Sequence, residues 1–420
     1  MLYLCLILYI SAIYVRPAEI LAPLDNVPVV DIVAAVAAAV GGLALLLRPR
    51  RTSVIPTDIF IVGFWLAIVL SNLVRGWFGG AWLGFLNFLP VVFCYFLVRV
   101  AVHTPGQASG LVNLFVFLNI FLAVNGIVQY HTGVGLGGVE ALTEEHRIRG
   151  TGIFNDPNDL GMTLVMAVAC VLVRGFGPGI PNTSRLAATV FLIPLLVAIY
   201  YTNSRGAVVG LGAVLVSHSF RSIRKVPAAV ASVMAVSALL LLGPSRTSAL
   251  DASEGSAQGR VEAWAEGLQM LKAGPIFGVG YGRFTDYHHR VAHNSFVHAA
   301  AELGVVGAFC LVGVFYSFFR VSRAGQAITS GDVLAAEASE VARASSLSAI
   351  GALTCGLFLS RQYVVVPYLI LAIGGTAATI AAKDARRVWR DWPVDSAIVM
   401  LLTVLGIVAT WIAVRALGDW

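Results

Sequence analysis

Residues 29–51 read VVDIVAAVAAAVGGLALLLRPRR. A run of apolar residues broken by one carboxylate, Asp31, is followed at once by Arg48-Pro49-Arg50-Arg51. As a helix rising 1.5 Å per residue, 29–47 would span about 28 Å, close to the roughly 30 Å hydrocarbon core of a bilayer. A basic cluster directly after such a run is the signal that keeps a loop on the cytoplasmic side. The stretch therefore reads as a transmembrane helix with its inner end marked.

The same pairing recurs outward in both directions. Apolar blocks lie near 2–20, 57–75, 81–101, 109–130, 158–175, 186–203, 205–220, 226–243, 295–319, 346–360, 364–382 and 396–416, thirteen candidate spans with 29–47. The pairs 186–203/205–220 and 346–360/364–382 are separated by only a few polar residues, as in tight re-entries. The first block lacks a basic flank and a clear small-residue cleavage site, so it reads as a retained span rather than a signal peptide. Composition agrees: 58% of residues are hydrophobic and 12% charged, with a mean hydropathy of +0.84. A soluble domain is about 25% charged, and the blocks leave no room for one. The formal charge of +6 is no nucleic-acid signature, because its arginines and lysines sit in short clusters between spans. Cys5, Cys94, Cys170, Cys310 and Cys355 all fall inside apolar blocks, without paired spacing for a disulfide or a metal.

With a cytoplasmic N-terminus, every strong basic cluster falls inside: Arg48 to Arg51, Arg174 and Arg185, Arg221/Arg224/Lys225, Arg320/Arg323, and Lys383/Arg386/Arg387/Arg390. Four polar segments then share the outer face, namely 131–157, 201–206, 244–294 and 360–363, and six of the eight histidines lie in or beside them. The Ala/Glu/Ser-rich stretch 324–345 reads as an exposed inner helix. Coarsely, residues 1–130 form an N-terminal helical unit, 131–320 a catalytic region containing the 244–294 loop, and 321–420 a C-terminal helical unit.

The 244–294 loop opens with a Gly/Ser-rich run and continues into a helical pattern. Val261, Trp264, Leu268 and Leu271 recur at the spacing of one helix face, which would lay the helix on the membrane surface with Trp264 at headgroup level. Arg260 at its start is either a solvated arginine or one that faces a ligand. Gly278, Gly280 and Gly282 alternate, allowing a sharp turn and close backbone approach; no strand–helix context makes them a dinucleotide loop. His288, His289, His293 and His298 follow, a cluster that could hold a metal, but only Asp286 offers an acidic partner at metal-like spacing and no HExxH is present. His293, at the mouth of the next span, is either a headgroup-binding histidine or a half-desolvated, neutral general base.

The remaining outer cations admit the same pair of readings. Arg205, beside Asn203 and Ser204, can snorkel to lipid phosphate or bind a phosphate-bearing substrate through its planar fork. Arg147 and Arg149 adjoin a turn at Asn155-Asp156-Pro157, where Asn158 or Asp159 can cap the next helix. Arg361 is one more outer cation. Gathered on one face of an otherwise apolar chain, these groups suit an anionic, lipid-linked substrate, and pyrophosphate fits best.

Four motifs, in order, carry a family resemblance. They are GTGIFNDPN at 150–158, NSRG at 203–206, the block from Arg260 through Trp264 to Gly278-Val279-Gly280, and His293-Asn294-Ser295 followed by ELGVVG at 302–307. Over roughly residues 145–310 the chain resembles the O-antigen ligase/polymerase superfamily. The resemblance implies an all-α, polytopic membrane protein of about 12–13 transmembrane helices, similar to C-type glycosyltransferases, in a bacterial inner membrane with a periplasmic site. It implies an undecaprenyl-pyrophosphate-linked glycan donor, and a glycan, lipid A-core or protein acceptor. It implies no cofactor and no metal, and an inverting transfer. By the same resemblance His293 is the catalytic histidine and Arg205 and Arg260 bind pyrophosphate, with Arg147 and Arg149 joined to them. Two features depart from the pattern: His288, His289 and Arg290 crowd the expected histidine, and a thirteenth span would put the C-terminus outside. A small-anion transporter is the competing reading from another class; few charges within the spans and no inverted repeat weigh against it. A non-catalytic envelope scaffold is a third.

Overall fold

The computed structural model describes residues 1–24, 26–47, 53–142, 147–176, 180–222, 255–327, 332–382, 389 and 391–417. The chain is all-α: among the described residues no strand forms, only the isolated bridges Val134–Glu140 and Leu142–Arg147. The principal helices are α1 (Leu2–Val15), α2 (Val29–Leu47), α3 (Pro56–Leu73), α4 (Phe78–Ala101), α5 (Pro105–Thr132), α6 (Pro157–Gly175) and α7 (Asn182–Tyr201). They continue as α8 (Arg205–Ser222), α9 (Gly255–Ala273), α10 (Ser295–Gln326), α11 (Val333–Gly356), α12 (Val365–Ala382) and α13 (Trp392–Leu417). Among the described residues nine of these, α2 to α7, α10, α12 and α13, are long and apolar enough to cross a membrane. The protein is a multi-pass membrane protein. The expected span at 226–243, the opening of the 244–294 loop, and the basic clusters at 48–51 and 383–387 lie outside the described residues.

Burial separates inner from outer helices. Almost every side chain of α6 from Leu160 to Val173 is buried, and α12 is enclosed from Val366 to Ala378. By contrast α2 buries only Ala37 and Gly41, and α13 exposes Leu401, Leu405, Trp411 and Ile412. Apolar all round yet unburied by protein, α2 and α13 have the surface of helices that face lipid.

Inner helices approach closely because small residues meet. A Cβ on Gly325 would lie 2.6 Å from the Ala378 Cα, one on Gly175 2.1 Å from the Ala188 Cβ, and one on Gly210 2.5 Å from the Cys355 sulfur. Small residues at such contacts, rather than apolarity, drive helix association in a bilayer. That explains where the expected exposed helix at 324–345 goes. Instead of lying free, α10 runs on to Gln326 and α11 starts at Val333 and continues without a break to Gly356. Ala335, Ala338, Ala342, Ser345 and Ser346 of that stretch are buried. Ser322 Oγ donates to the Ala342 carbonyl at 3.0 Å and Ser348 Oγ to the Met166 carbonyl at 2.9 Å.

The expected first span, 2–20, is also shorter than its apolar block. Its helix stops at Val15, Arg16 turns left-handed with φ 49°, and Pro17 opens a separate short helix. Proline restricts the residue before it and has no N–H to continue the ladder. The one deeply buried arginine–carboxylate pair among the described residues joins Arg99 Nε to Asp58 Oδ1 at 3.2 Å, and other atoms of both groups are hydrogen-bonded. Tyr95 Oη donates to Asp58 Oδ1 at 2.7 Å, Ile55 N to Oδ2 at 2.9 Å, and Arg99 Nη2 to the Ser53 carbonyl at 2.6 Å. It ties α3 to α4 at the end of α3 away from the site described next.

Candidate active site

The starts of α6, α8, α9 and α10 converge on one cavity of about 180 Å³, lined by Arg147, Asn158, Asn203, Arg205, Arg260, Arg290, His293 and the flanking Gly206, Gly259, Phe358 and Leu359. Four arginines line it and, among the described residues, no carboxylate does. Helix N-termini carry partial positive charge and unsatisfied N–H groups, so the backbone reinforces the preference for an anion.

Each lining residue is placed by its local structure. Asn203 adopts φ 48°, a left-handed conformation asparagine tolerates, and this turns the chain from α7 into α8 within Thr202-Asn203-Ser204. Arg205 follows as the first residue of α8. Ser204 Oγ accepts from Ala207 N at 3.3 Å and donates to Asn158 Oδ1 at 2.8 Å. Asn158 Oδ1 also accepts from Arg147 Nη2 at 3.2 Å, and Arg147 Nε donates to the Thr202 carbonyl at 2.9 Å. The cap of α6 is Asp156, whose carboxylate accepts from Asn158 N at 2.7 Å. Asn158 is thus a cross-link between Arg147 and the α7–α8 turn, a role that its position near a helix start did not disclose.

His293 precedes α10 with φ 47°, a strained conformation for a non-glycine residue, costing of order 1–3 kcal/mol. Its neighbours hold it there. Trp264 Nε1 donates to the Ala292 carbonyl at 2.9 Å. Asn294 caps α10, its Oδ1 accepting from Phe296 N at 2.9 Å and Val297 N at 3.2 Å. Ser295 Oγ donates to the Leu359 carbonyl at 2.6 Å and accepts from Arg361 N at 3.0 Å. Burial, and then the positive charges of Arg260, Arg361 and Arg290, hold the His293 imidazole below the ordinary histidine pKa, with Asp156 pulling the other way. A neutral imidazole at pH 7 can accept a proton, which a charged one cannot.

Trp264 is held in this clamp by its indole N–H and its ring. α9 packs on α10 and α13 instead of lying free, and the Trp264 ring rests against a small core of Met270, Val279, Phe284, Ala292, Val297 and Ala301. The alternating glycines do provide close backbone approach. A Cβ on Gly278 (φ 70°) would lie 2.2 Å from the Glu302 carbonyl carbon and oxygen. Val279 N and Gly280 N donate to the Ala301 and Glu302 carbonyls at 3.0 and 2.9 Å, and Arg75 Nη2 donates to the Gly278 carbonyl at 2.7 Å.

Other expected residues stand apart. Arg149 does not line the cavity: its Nε donates to the Glu140 carbonyl at 2.8 Å. Arg361 is engaged by Asp159 and, at 3.6 Å, by Asp156, and it reaches His293 only through its charge. The four clustered histidines do not converge. His288 and His289 pack against each other with ring centroids 4.4 Å apart and planes tilted by 36°, and His298 pairs with Glu302 inside α10. Arg290 and Asn203 line the cavity although neither was singled out as a ligand. The one available signal for Arg290 was its place three residues before His293.

Residues 190–312 match the family model described as O-antigen ligase. No curated protein matches the chain. The matched stretch contains Arg205, Arg260, Arg290 and His293 together with the glycine segment and the start of α10. This matched domain supports placing the chain with the O-antigen ligase/polymerase superfamily.

Proposed function

We propose that the protein transfers a glycan from undecaprenyl pyrophosphate to an acceptor hydroxyl on the extracytoplasmic face of a bacterial inner membrane. The observation that carries this reading is a neutral-leaning His293 facing a cavity walled by four arginines. In the step, the acceptor oxygen attacks the anomeric carbon while its proton passes to His293. The bond from that carbon to the pyrophosphate oxygen breaks, and undecaprenyl pyrophosphate departs with the electron pair. Single displacement inverts the anomeric configuration. A general base contributes about 10²–10⁴ in rate. Charge grows on the leaving pyrophosphate, where Arg205 and Arg260, joined by Arg147 and Arg290, would be preorganised to receive it. Arginine stays charged and offers a planar fork, so these side chains can take the place of a divalent ion.

The surroundings support the same reading. An apolar cavity of about 590 Å³ is lined by Trp264 and Leu268 of α9, Phe296 and Val297 of α10, and Leu402 and Ile407 of α13. Its walls α9 and α10 also supply Arg260 and lead into His293, so a polyprenyl tail can lie there while its pyrophosphate meets the arginines. Arg174, Arg320 and Arg323 stand at the opposite ends of α6 and α10, consistent with a cytoplasmic side away from the site. The acceptor would be a lipid A-core sugar, another lipid-linked repeat or a protein hydroxyl. The test is transfer by the purified protein in proteoliposomes, with lipid-linked donor, each acceptor class and EDTA. An inverted glycosidic product with one acceptor is expected. No product with any acceptor, alongside anion uptake, overturns the reading in favour of a transporter.

A further inference from the structure

α10 is not one continuous helix. At Gly304 the backbone leaves the helical region (φ 67°, ψ −165°). The groups freed there are taken up by the glycine segment, with Val305 N donating to the Pro275 carbonyl at 2.9 Å and Val306 N to the Ile276 carbonyl at 3.2 Å. Residues 295–303 therefore form a separate short segment, with His293 just ahead of its tip. Near the base of that segment is Glu302, 1% exposed, about 10 Å along the helix from Ser295.

A carboxylate in such a place is costly unless fully hydrogen-bonded. Glu302 is, and its donors come from three different elements. Phe284 N donates to Oε1 at 3.0 Å from the short helix Phe284–Tyr287, on the stretch that runs to His293. Tyr363 Oη donates to Oε2 at 3.0 Å from the α11–α12 connection, which also supplies Phe358 and Leu359 to the cavity. His298 Nε2 meets Oε1 at 3.1 Å from the α10 segment itself. Tyr363 is in turn packed by Tyr281, with ring centroids 4.9 Å apart, and Phe64, at 5.9 Å. Glu302 does not line the cavity and so has no direct part in the transfer step.

We infer that Glu302 is a positioning residue: by joining the 284–293 loop, the α11–α12 connection and the first segment of α10 at one buried carboxylate, it fixes the reach of His293 toward the acceptor. The inference rests on the glycosyl-transfer reading above. The arginines hang mainly on other elements, α8 and α9 and the turn before α6, so the role separates catalysis from donor binding.

Three variants, Glu302→Ala, Glu302→Gln and Tyr363→Phe, test it by kcat and donor KM in proteoliposomes and by hydrogen exchange of the 284–297 amides. A displacement near 1 Å costs a reaction about 10²-fold, so Glu302→Ala should lose on the order of 100-fold in kcat with donor KM changed less than about threefold. Glu302→Gln keeps an acceptor oxygen and should recover about tenfold of that loss. Tyr363→Phe, which removes one donor, should fall between wild type and Glu302→Ala, and exchange should quicken in Glu302→Ala. Should Glu302→Ala fail to fold, Glu302→Gln and Tyr363→Phe carry the test by the same split. A folded variant with wild-type kcat, or one whose donor affinity falls in step with kcat, overturns the inference while the transfer reading stands. Unchanged exchange across 284–297 overturns it whether or not transfer is seen; a wild type silent with every acceptor brings down the transfer reading.

Discussion

Trp264→Phe isolates the clamp on His293 more cleanly than any other single change. Phenylalanine keeps an aromatic ring against Val279, Phe284 and Val297 but removes the indole N–H that donates to the Ala292 carbonyl at 2.9 Å. A hydrogen bond of this kind contributes about 1 kcal/mol net, and an acceptor left buried and unpaired adds up to about 1–3 kcal/mol. The left-handed conformation of the next residue, His293, costs a similar amount, about 1–3 kcal/mol. Removing the bond should therefore let the loop relax away from its working conformation by roughly 1–2 kcal/mol. In rate this is a loss of about 5–30-fold in kcat, with donor KM nearly unchanged because Arg260 stays on α9. The assay is steady-state transfer in proteoliposomes beside a thermal melt in detergent. A melt shifted by no more than a few degrees with kcat down in that range agrees. Wild-type kcat in a folded Trp264→Phe protein would refute the claim that this bond holds His293 in place.

Four further outcomes follow from the site. Arg205→Gln and Arg260→Gln should each lower kcat by about 10²–10³, the magnitude of removing one preorganised donor to developing charge. Arg147→Gln should cost at least about tenfold more than Arg149→Gln, since only Arg147 lines the cavity; kinetics on the paired variants decides it. Because His293 must be neutral to take a proton and its pKa is held below the ordinary value, activity should persist into mildly acidic pH. Arg260→Gln or Arg290→Gln removes a positive neighbour, raises that pKa and moves the acidic limb of the pH–rate profile to higher pH; a limb that stays put contradicts the electrostatics. Gly278→Ala places a Cβ at 2.2 Å from the Glu302 carbonyl at a positive φ, and should lower the melting temperature by several degrees, read by the same melt.

The span pattern was legible because its cause is one-dimensional: a helix needs about 20 apolar residues to cross a bilayer, and α2 to α7, α10, α12 and α13 satisfy that locally. α11 was not read to its full length, because alanine and serine that look like exposed polarity are packing residues between helices in lipid, as at Ala342, Ser346 and Ser348. The end of α1 turned on one proline. Within the site, Arg205 and His293 stood at the borders of spans and Arg260 at the start of an amphipathic pattern, where a charge is conspicuous. Asn158, Asn203 and Arg290 were not conspicuous, since their use depends on contacts between segments far apart in the chain, such as Asn158 with Ser204 and Arg147. The contacts of Trp264 were hidden for the same reason: helical spacing shows which residues share a face, but not that the face meets α10 and that the indole N–H meets Ala292. Glu302 lies inside an apolar block, and only its partners outside α10, Phe284 and Tyr363, show what it is for.

The central claim is that His293 takes the acceptor proton, and the most direct measurement compares purified His293→Ala with wild type in proteoliposomes, with lipid-linked donor, a working acceptor and EDTA. The account predicts a loss of about 10²–10⁴ in turnover with the variant folded and donor still bound at the arginines. Transfer by His293→Ala at the wild-type rate would contradict it.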